Sequence, residues 1–309
     1  MFGSTILDVA IGLALIYLLL SLINTVLTEF IAGLLNLRAT NLENGIRSLL
    51  NDPNGTGLTR VFYDHPLIKG LSKDDSKPSY IPARNFALAL LDMIAPAKPA
   101  AEPQTVNQIR ASISAMSPAY DGLKHKMLLM IDDAQANVSA ARENVEKMFD
   151  ETMERVTGWY KRDAQKIVLV LAIGIAVAAN ADTLSITSTL YRDPALRAGL
   201  VAAAEQAVKQ QESKGAKNEE ELKGKAAQEM IATINKDLEK ISFPLGWERL
   251  PANNSELSHK KTFFTWLYTF FGWALTALAI SLGAPFWFDI LNKFINIRSA
   301  GAKPDGKKK

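Results

Sequence analysis

The chain has 309 residues, is 48% hydrophobic and 22% charged, carries a net charge of +3 and contains no cysteine. A charge so near balance leaves no electrostatic footprint for nucleic acid, and the lack of thiols excludes disulfides, thiolate metal sites and cysteine catalysis. Its three histidines, His65, His125 and His259, have no second ligand at helical spacing, so neither a metal nor another cofactor is expected.

Three apolar stretches, residues 9–27, 167–179 and 263–282, organise the rest as an all-α integral membrane protein with three transmembrane helices. The first, within residues 1–35, is read as a retained membrane helix. A cleaved signal peptide needs a basic start, and no Lys or Arg precedes Arg38. Residues 36–164 follow as a helical domain. Its residues 36–50 read as one amphipathic helix continuing from the membrane. Residues 51–82 read as a loop rich in Pro, Gly, Asn and Asp, folded back so that Phe62, Tyr63, Leu67, Ile68 and Leu71 are buried. A short helix over 85–94 and a Pro/Ala linker over 95–103 come next, then a helix over 104–117. Within 123–160, Met127, Ile131, Ala134, Val138, Ala141, Val145 and Met148 alternate steps of four and three, an a/d seam. The seam suits packing on the 104–117 helix or on a second subunit. No alternating β pattern is sustained.

The second membrane helix is assigned to residues 165–186. Its thirteen purely apolar residues, 167–179, reach only about 20 Å, so a full span must draw in Asn180, Asp182 and Thr183. A carboxylate at membrane depth is a candidate for function, and at the headgroup level it serves as a helix cap. Trp159 and Tyr160 just before this stretch suit the membrane interface, and Lys161 and Arg162 suit lipid headgroups. Residues 187–260 read as a helical hairpin, with an Ala-rich helix from 194, a turn at Gly215 and a second helix over 219–241. The third membrane helix covers 261–283. It ends at Gly283-Ala284-Pro285, which should bend the chain into an amphipathic helix over 284–309 along the inner surface. Trp287, Lys293 and Arg298 are its interface anchors, and a basic tail follows.

Basic residues tend to stay cytoplasmic. Arg38 and Arg47 follow the first stretch, and Arg155, Lys161, Arg162 and Lys166 precede the second. Residues 36–164 are therefore expected in the cytoplasm, the N-terminus and the 187–260 hairpin outside, and the C-terminus inside.

Four groups of residues carry a resemblance. They are His65-Pro66-Leu67-Ile68 with Pro78-Ser79-Tyr80-Ile81-Pro82, and Thr157-Gly158-Trp159-Tyr160-Lys161-Arg162. The others are Asn180-Ala181-Asp182-Thr183 with Asp193-Pro194-Ala195-Leu196-Arg197, and the run from Gly283 to Lys293 with Asn296 and Arg298. Together they resemble a widespread family of uncharacterised bacterial integral membrane proteins, over most of the chain except 96–120 and 212–240. Met148 departs from the pattern, standing where an aromatic residue is expected before Phe149-Asp150. The resemblance implies a bacterial inner-membrane location and brings no catalytic residue with it.

No nucleophile–base pair or phosphate loop is visible, so the chain is expected not to be an enzyme. It is expected to be an oligomeric membrane scaffold or anchor, with the bilayer, further copies of itself and an unidentified protein as partners. The alternative is a homo-oligomeric channel lined by Asn24, Thr28 and Glu29 of the first helix, with Asn180 and Asp182. The plain role for those residues is hydrogen bonding between helices.

Overall fold

Among the described residues, three non-glycine residues take a positive φ, and all three are asparagines that end a helix: Asn36, Asn51 and Asn180. Asparagine tolerates the left-handed region better than most side chains, so these positions stop a helix without a glycine. A computed structural model describes residues 2–73, 76–96, 105–134, 137–214 and 259–300. Among them every regular element is helical, and the chain forms two units, residues 1–31 with 164–309 and residues 32–163.

The second unit starts at the end of α1 (Phe2–Leu34). The helix expected over 36–50 is present as α2 (Leu37–Leu49), but it does not continue from α1: Asn36, at φ 47°, breaks the chain between them. The expected loop over 51–82 also contains two short helices, α3 (Leu58–Asp64) and α4 (Pro66–Lys69). Of the apolar residues expected to be buried there, Leu67 and Leu71 are exposed, because the single turn of α4 directs only Ile68 inward. Two side chains organise these helices. Asp52 accepts hydrogen bonds from the amides of Gly55, Gly57 and Thr59 at 3.1, 2.9 and 3.0 Å. His65 caps α4 through Nδ1, which accepts from the Leu67 amide. Then come α5 (Ala83–Ile94), α6 (Val106–Ser114) with a Thr105/Gln108 capping box, and α7 (Asp121–Asp133). The linker residues 97–103 lie outside the described residues.

The 123–160 periodicity is carried by two helices. The chain leaves α7 at Ala134, and Asn137 caps α8 (Val138–Ala178) by accepting from the Ser139 and Ala140 amides. Met127, Ile131, Ala134, Ala141 and Val145 are buried in the core of this unit, with Val138 and Met148 packed against it. Helix α7 lies against α6, and Arg110 pairs with Asp132 at 3.2 Å. The core centres on Phe62, Phe86 and Phe149, whose rings meet at 5.2 and 4.5 Å. Each such ring contributes about 1.5–3 kcal/mol on burial and ~0.5–1.5 kcal/mol more from each aromatic pair. Gly45 lets α2 approach α8, since a Cβ there would overlap Val156.

The first unit comprises α1, the end of α8, α9 (Thr183–Arg192), α10 (Pro194–Lys214), α11 (His259–Ser281) and α12 (Ala284–Ala300). Its core joins Ile11, Leu15, Leu18 and Leu22 of α1 to Ala172 and Ala176 of α8, Leu190, Leu200, Ile280 and Leu291. Residues 215–258 lie outside the described residues, and with them the second hairpin helix and its turn; so does the basic tail at 301–309. In α1 the stretch Thr5–Leu34 is long and apolar enough to cross a membrane. Two bent pairs pass the same test if each counts as one span, which makes up to three: α8 with α9, bent by 50°, and α11 with α12, bent by 95°. The single second membrane helix expected over 165–186 is thus a broken one.

Candidate functional site

The breaks in both bent pairs lie against the middle of α1. At the first, α8 ends, Asn180 turns at φ 45°, and Asp182 caps α9 by accepting from the Leu184 and Ser185 amides at 2.9 and 3.3 Å. At the second, Gly283 takes φ 88°, which a side chain resists, and Pro285 fits the first turn of α12.

A chain of hydroxyls ties these elements together. Tyr17 of α1 shares a 2.9 Å hydrogen bond with Thr183, and Thr183 shares one of 2.7 Å with Thr276 of α11. The Thr276 hydroxyl also lies 2.5 Å from the Ala181 carbonyl and 2.9 Å from that of Gly272. A carbonyl only accepts, so the Thr276 proton must point to one of these two. Thr276 must then accept from Thr183, and Thr183 from Tyr17. The acceptors at one end thus set the sense of the whole chain.

Other polar groups close the same region. Ser21 donates to the Ile280 carbonyl at 3.2 Å, and the Trp273 indole donates to Asn180 Oδ1 at 3.1 Å. The Trp287 indole donates to the Ala279 carbonyl at 2.6 Å, and its ring lies 4.6 Å from that of Tyr17. Gly272 is required here, because a Cβ would run into the Asp182 carboxylate.

Of the residues singled out in the sequence, Asn180 and Asp182 belong to this junction. Asn24 is only 3% exposed and donates to the Val168 carbonyl at 3.3 Å; its Oδ1 and the Thr28 hydroxyl are buried without a hydrogen-bond partner. Glu29 is exposed one turn further along α1. Tyr17, Trp273 and Thr276 were missed, and Thr183 was named only as part of the second span. Their signal was available: each is a hydrogen-bonding side chain inside or beside an apolar run.

The interface anchors divide. Trp159, Lys161 and Arg162 are exposed on the polar part of α8, and Tyr160 is half-buried. Lys293 is exposed on α12 and Trp287 is half-buried. Arg298 forms ion pairs with Asp8 of α1, at 3.1 Å, and with Glu205 of α10. Ala284, Phe288 and Leu291 of α12, the helix expected along the inner surface, are buried in the core of the first unit, and Trp287, Ile290, Phe294 and Ile295 pack on it. The ion pair makes residues 8 and 298 neighbours, joining the start of α1 to the end of α12.

The second unit holds its own charged group. Glu43 pairs with Arg47 and, at 2.6 Å, with Lys77. Burial pushes the Glu43 carboxyl up, but the hydrogen bonds and charge of Lys77 and Arg47 outweigh it, so the group titrates below the usual range. Asp52 behaves alike, burial being outweighed by the amides it accepts from. Tyr63, beneath Lys77, is pushed up by burial and by the nearby Glu43 charge.

No family model, curated protein or solved structure matches the chain.

Proposed function

We propose that the chain is a non-enzymatic integral protein of the bacterial inner membrane, acting as a homo-oligomeric scaffold or anchor. The observation that carries this reading is the closed junction at mid-α1. The polar groups of α1, α9 and α11 there are spent on one another, which suits helix fastening better than a polar path. Glu29 supports the oligomer. It is an exposed carboxylate on an apolar helix beside Leu27, 38% exposed, and Phe30, 67% exposed, and a second copy can supply its partner.

In this reading α1 crosses the membrane from outside, and α8 with α9 crosses back. The polar stretch 32–163 is cytoplasmic, as Arg155, Lys161, Arg162 and Lys166 favour. Helix α11 reaches only the Ser21 level of α1, where Ile280 accepts its hydrogen bond, and α12 returns toward Asp8. The pair is then a re-entrant hairpin that enters and leaves by the outer face, and residue 298 is outside with the N-terminus. Irregular backbone at such depth is tolerated where protein covers it, as at this junction.

The test is the mass of the purified protein in detergent, followed by ion flux in liposomes. An oligomer that passes no ions is the expected result. A monomer would overturn the scaffold. Flux that changes in Asp182→Asn or Glu29→Gln would establish the channel in its place.

A further inference from the structure

A cleft of about 380 Å³ opens in the second unit between α2, residues 79–81 and α8. Its floor is apolar: Leu42, Ile81, Phe149 and Val156 line it and are each almost fully buried. One wall is a face of α8. Asp150 and Lys161, both exposed, border the cleft from that helix, eleven positions apart. Eleven residues make about three turns, so the two side chains share one side of α8 and stand about 16 Å apart along it. The wall therefore carries a carboxylate at one end and an ammonium at the other, with the apolar floor between them. Arg38 also borders the cleft, but it is already engaged and does not enter this comparison.

The opposite wall is backbone. Residues 77–82 contain no helix, and Pro82 stands at φ −61°, ψ 138°. Pro78 and Pro82 also bias Lys77 and Ile81, the residues before them, toward extended conformations. Among the described residues, Ser79, Tyr80 and Ile81 make no backbone hydrogen bond. Ser79 and Tyr80 are exposed, while Pro78 and Ile81 are buried on either side of them. The segment is an extended edge without a second strand beside it.

These two walls select the occupant. A lipid chain would cover the floor and leave the edge and the Asp150 carboxylate unmatched. A partner helix keeps its backbone groups to itself and would leave the edge unpaired. An extended peptide answers to all three features: its backbone pairs with the edge, alternate side chains reach the floor, and charged ends meet Asp150 and Lys161. At about 3.3 Å per residue, the distance between those charges is about five residues of strand.

We propose that this cleft binds an extended peptide segment of a partner protein. A basic residue of the segment lies at Asp150, an acidic residue about five positions away lies at Lys161, and apolar side chains between them rest on the floor. The inference rests on the scaffold reading and names the chemistry of the partner such a scaffold recruits.

The experiment uses the full chain in mild detergent and isothermal titration calorimetry with end-blocked peptides. The probes are Val-Thr-Val-Thr flanked by Lys and Glu in either order, by two Lys, or by two Glu. One Lys/Glu order should bind one per chain, about fivefold tighter than either like-charged probe, the worth of one surface ion pair. Asp150→Lys, at an exposed position, should move the preference to the Glu/Glu probe. In the preferred probe, methylating the two Val amides or the two Thr amides should weaken binding in one case and spare it in the other, because only alternate residues face the edge. Absence of binding, equal affinity for all four probes, or a preference unmoved by Asp150→Lys overturns the site. Binding that survives both methylations overturns the pairing with residues 79–81. Displacement of the peptide by an equal concentration of phosphatidylglycerol overturns it as well and marks a lipid site. A protein that is monomeric in detergent yet binds with the expected pattern overturns the scaffold reading and upholds the cleft.

Discussion

Thr276 is the residue on which most of the junction depends, since its hydroxyl meets two carbonyls and a second threonine. Thr276→Val keeps the shape and deletes both bonds, leaving Thr183 without its acceptor. Tyr17→Phe removes only a donor at the far end. Interhelical hydrogen bonds in membranes average about 0.6 kcal/mol and reach about 1.7 kcal/mol. Denaturation in mixed micelles should therefore show Thr276→Val as the more damaging of the two, and an inverse order would refute the assigned sense of the chain. Gly272→Ala should cost at least the Asp182 cap, about 1 kcal/mol, because the new Cβ displaces that carboxylate. In the second unit, Asp52 and Glu43 both titrate below their usual range. The unfolded chain then binds more protons in acid, so the stability these groups contribute is complete above about pH 4 and is lost as pH falls further. Thermal melting against pH should show this acid limb, and Asp52→Ala should flatten it while lowering stability at neutral pH.

Among the elements, those with local chemical punctuation were legible. The bend at Gly283-Ala284-Pro285 was readable because glycine and proline act on their own backbone. The cap at Asp182 was readable for a similar reason, and the structure bears out the bend and the cap as geometry. The division of α7 from α8 was hidden, because Ile131, Ala134, Val138 and Ala141 keep helical phase across the gap. Its one local sign was Asn137, a good capping residue inside an otherwise apolar-periodic run. Asn36 concealed a break in the same way, within a stretch that reads as continuous helix. A substitution of Asn137 by Ala should therefore loosen the start of α8 by about 1 kcal/mol, seen as faster amide exchange over 138–141.

For the molecule as a whole, composition was enough for an all-helical chain with membrane-like segments, and charge flanks were enough to propose sides. The place where α11 ends was not legible. Its apolar length suits a full span, and only the Ser21–Ile280 hydrogen bond, with the link from Thr276 through Thr183 to Tyr17, sets its end beside mid-α1. The pairing of Arg298 with Asp8 was equally out of reach, because it joins residues from opposite ends of the chain. The proposed arrangement is checkable with single cysteines, which this cysteine-free chain accepts without background. Thr5→Cys and Ser299→Cys should react with an impermeant thiol reagent from the same side of the membrane, and Ser76→Cys from the other. Labelling of positions 5 and 299 from opposite sides would refute the re-entrant hairpin.

The hydroxyl chain also sets an order in time. Thr183 and Thr276 are 93 residues apart. At roughly 5–20 residues per second, the ribosome delivers Thr276 roughly 5–20 s after Thr183. Throughout that interval Thr183 has Tyr17 beside it and lacks Thr276, its acceptor. The newborn chain must hold a half-finished seam open for the last partner, and nascent chains stalled before residue 259 should be the form that membrane quality-control proteases cut first.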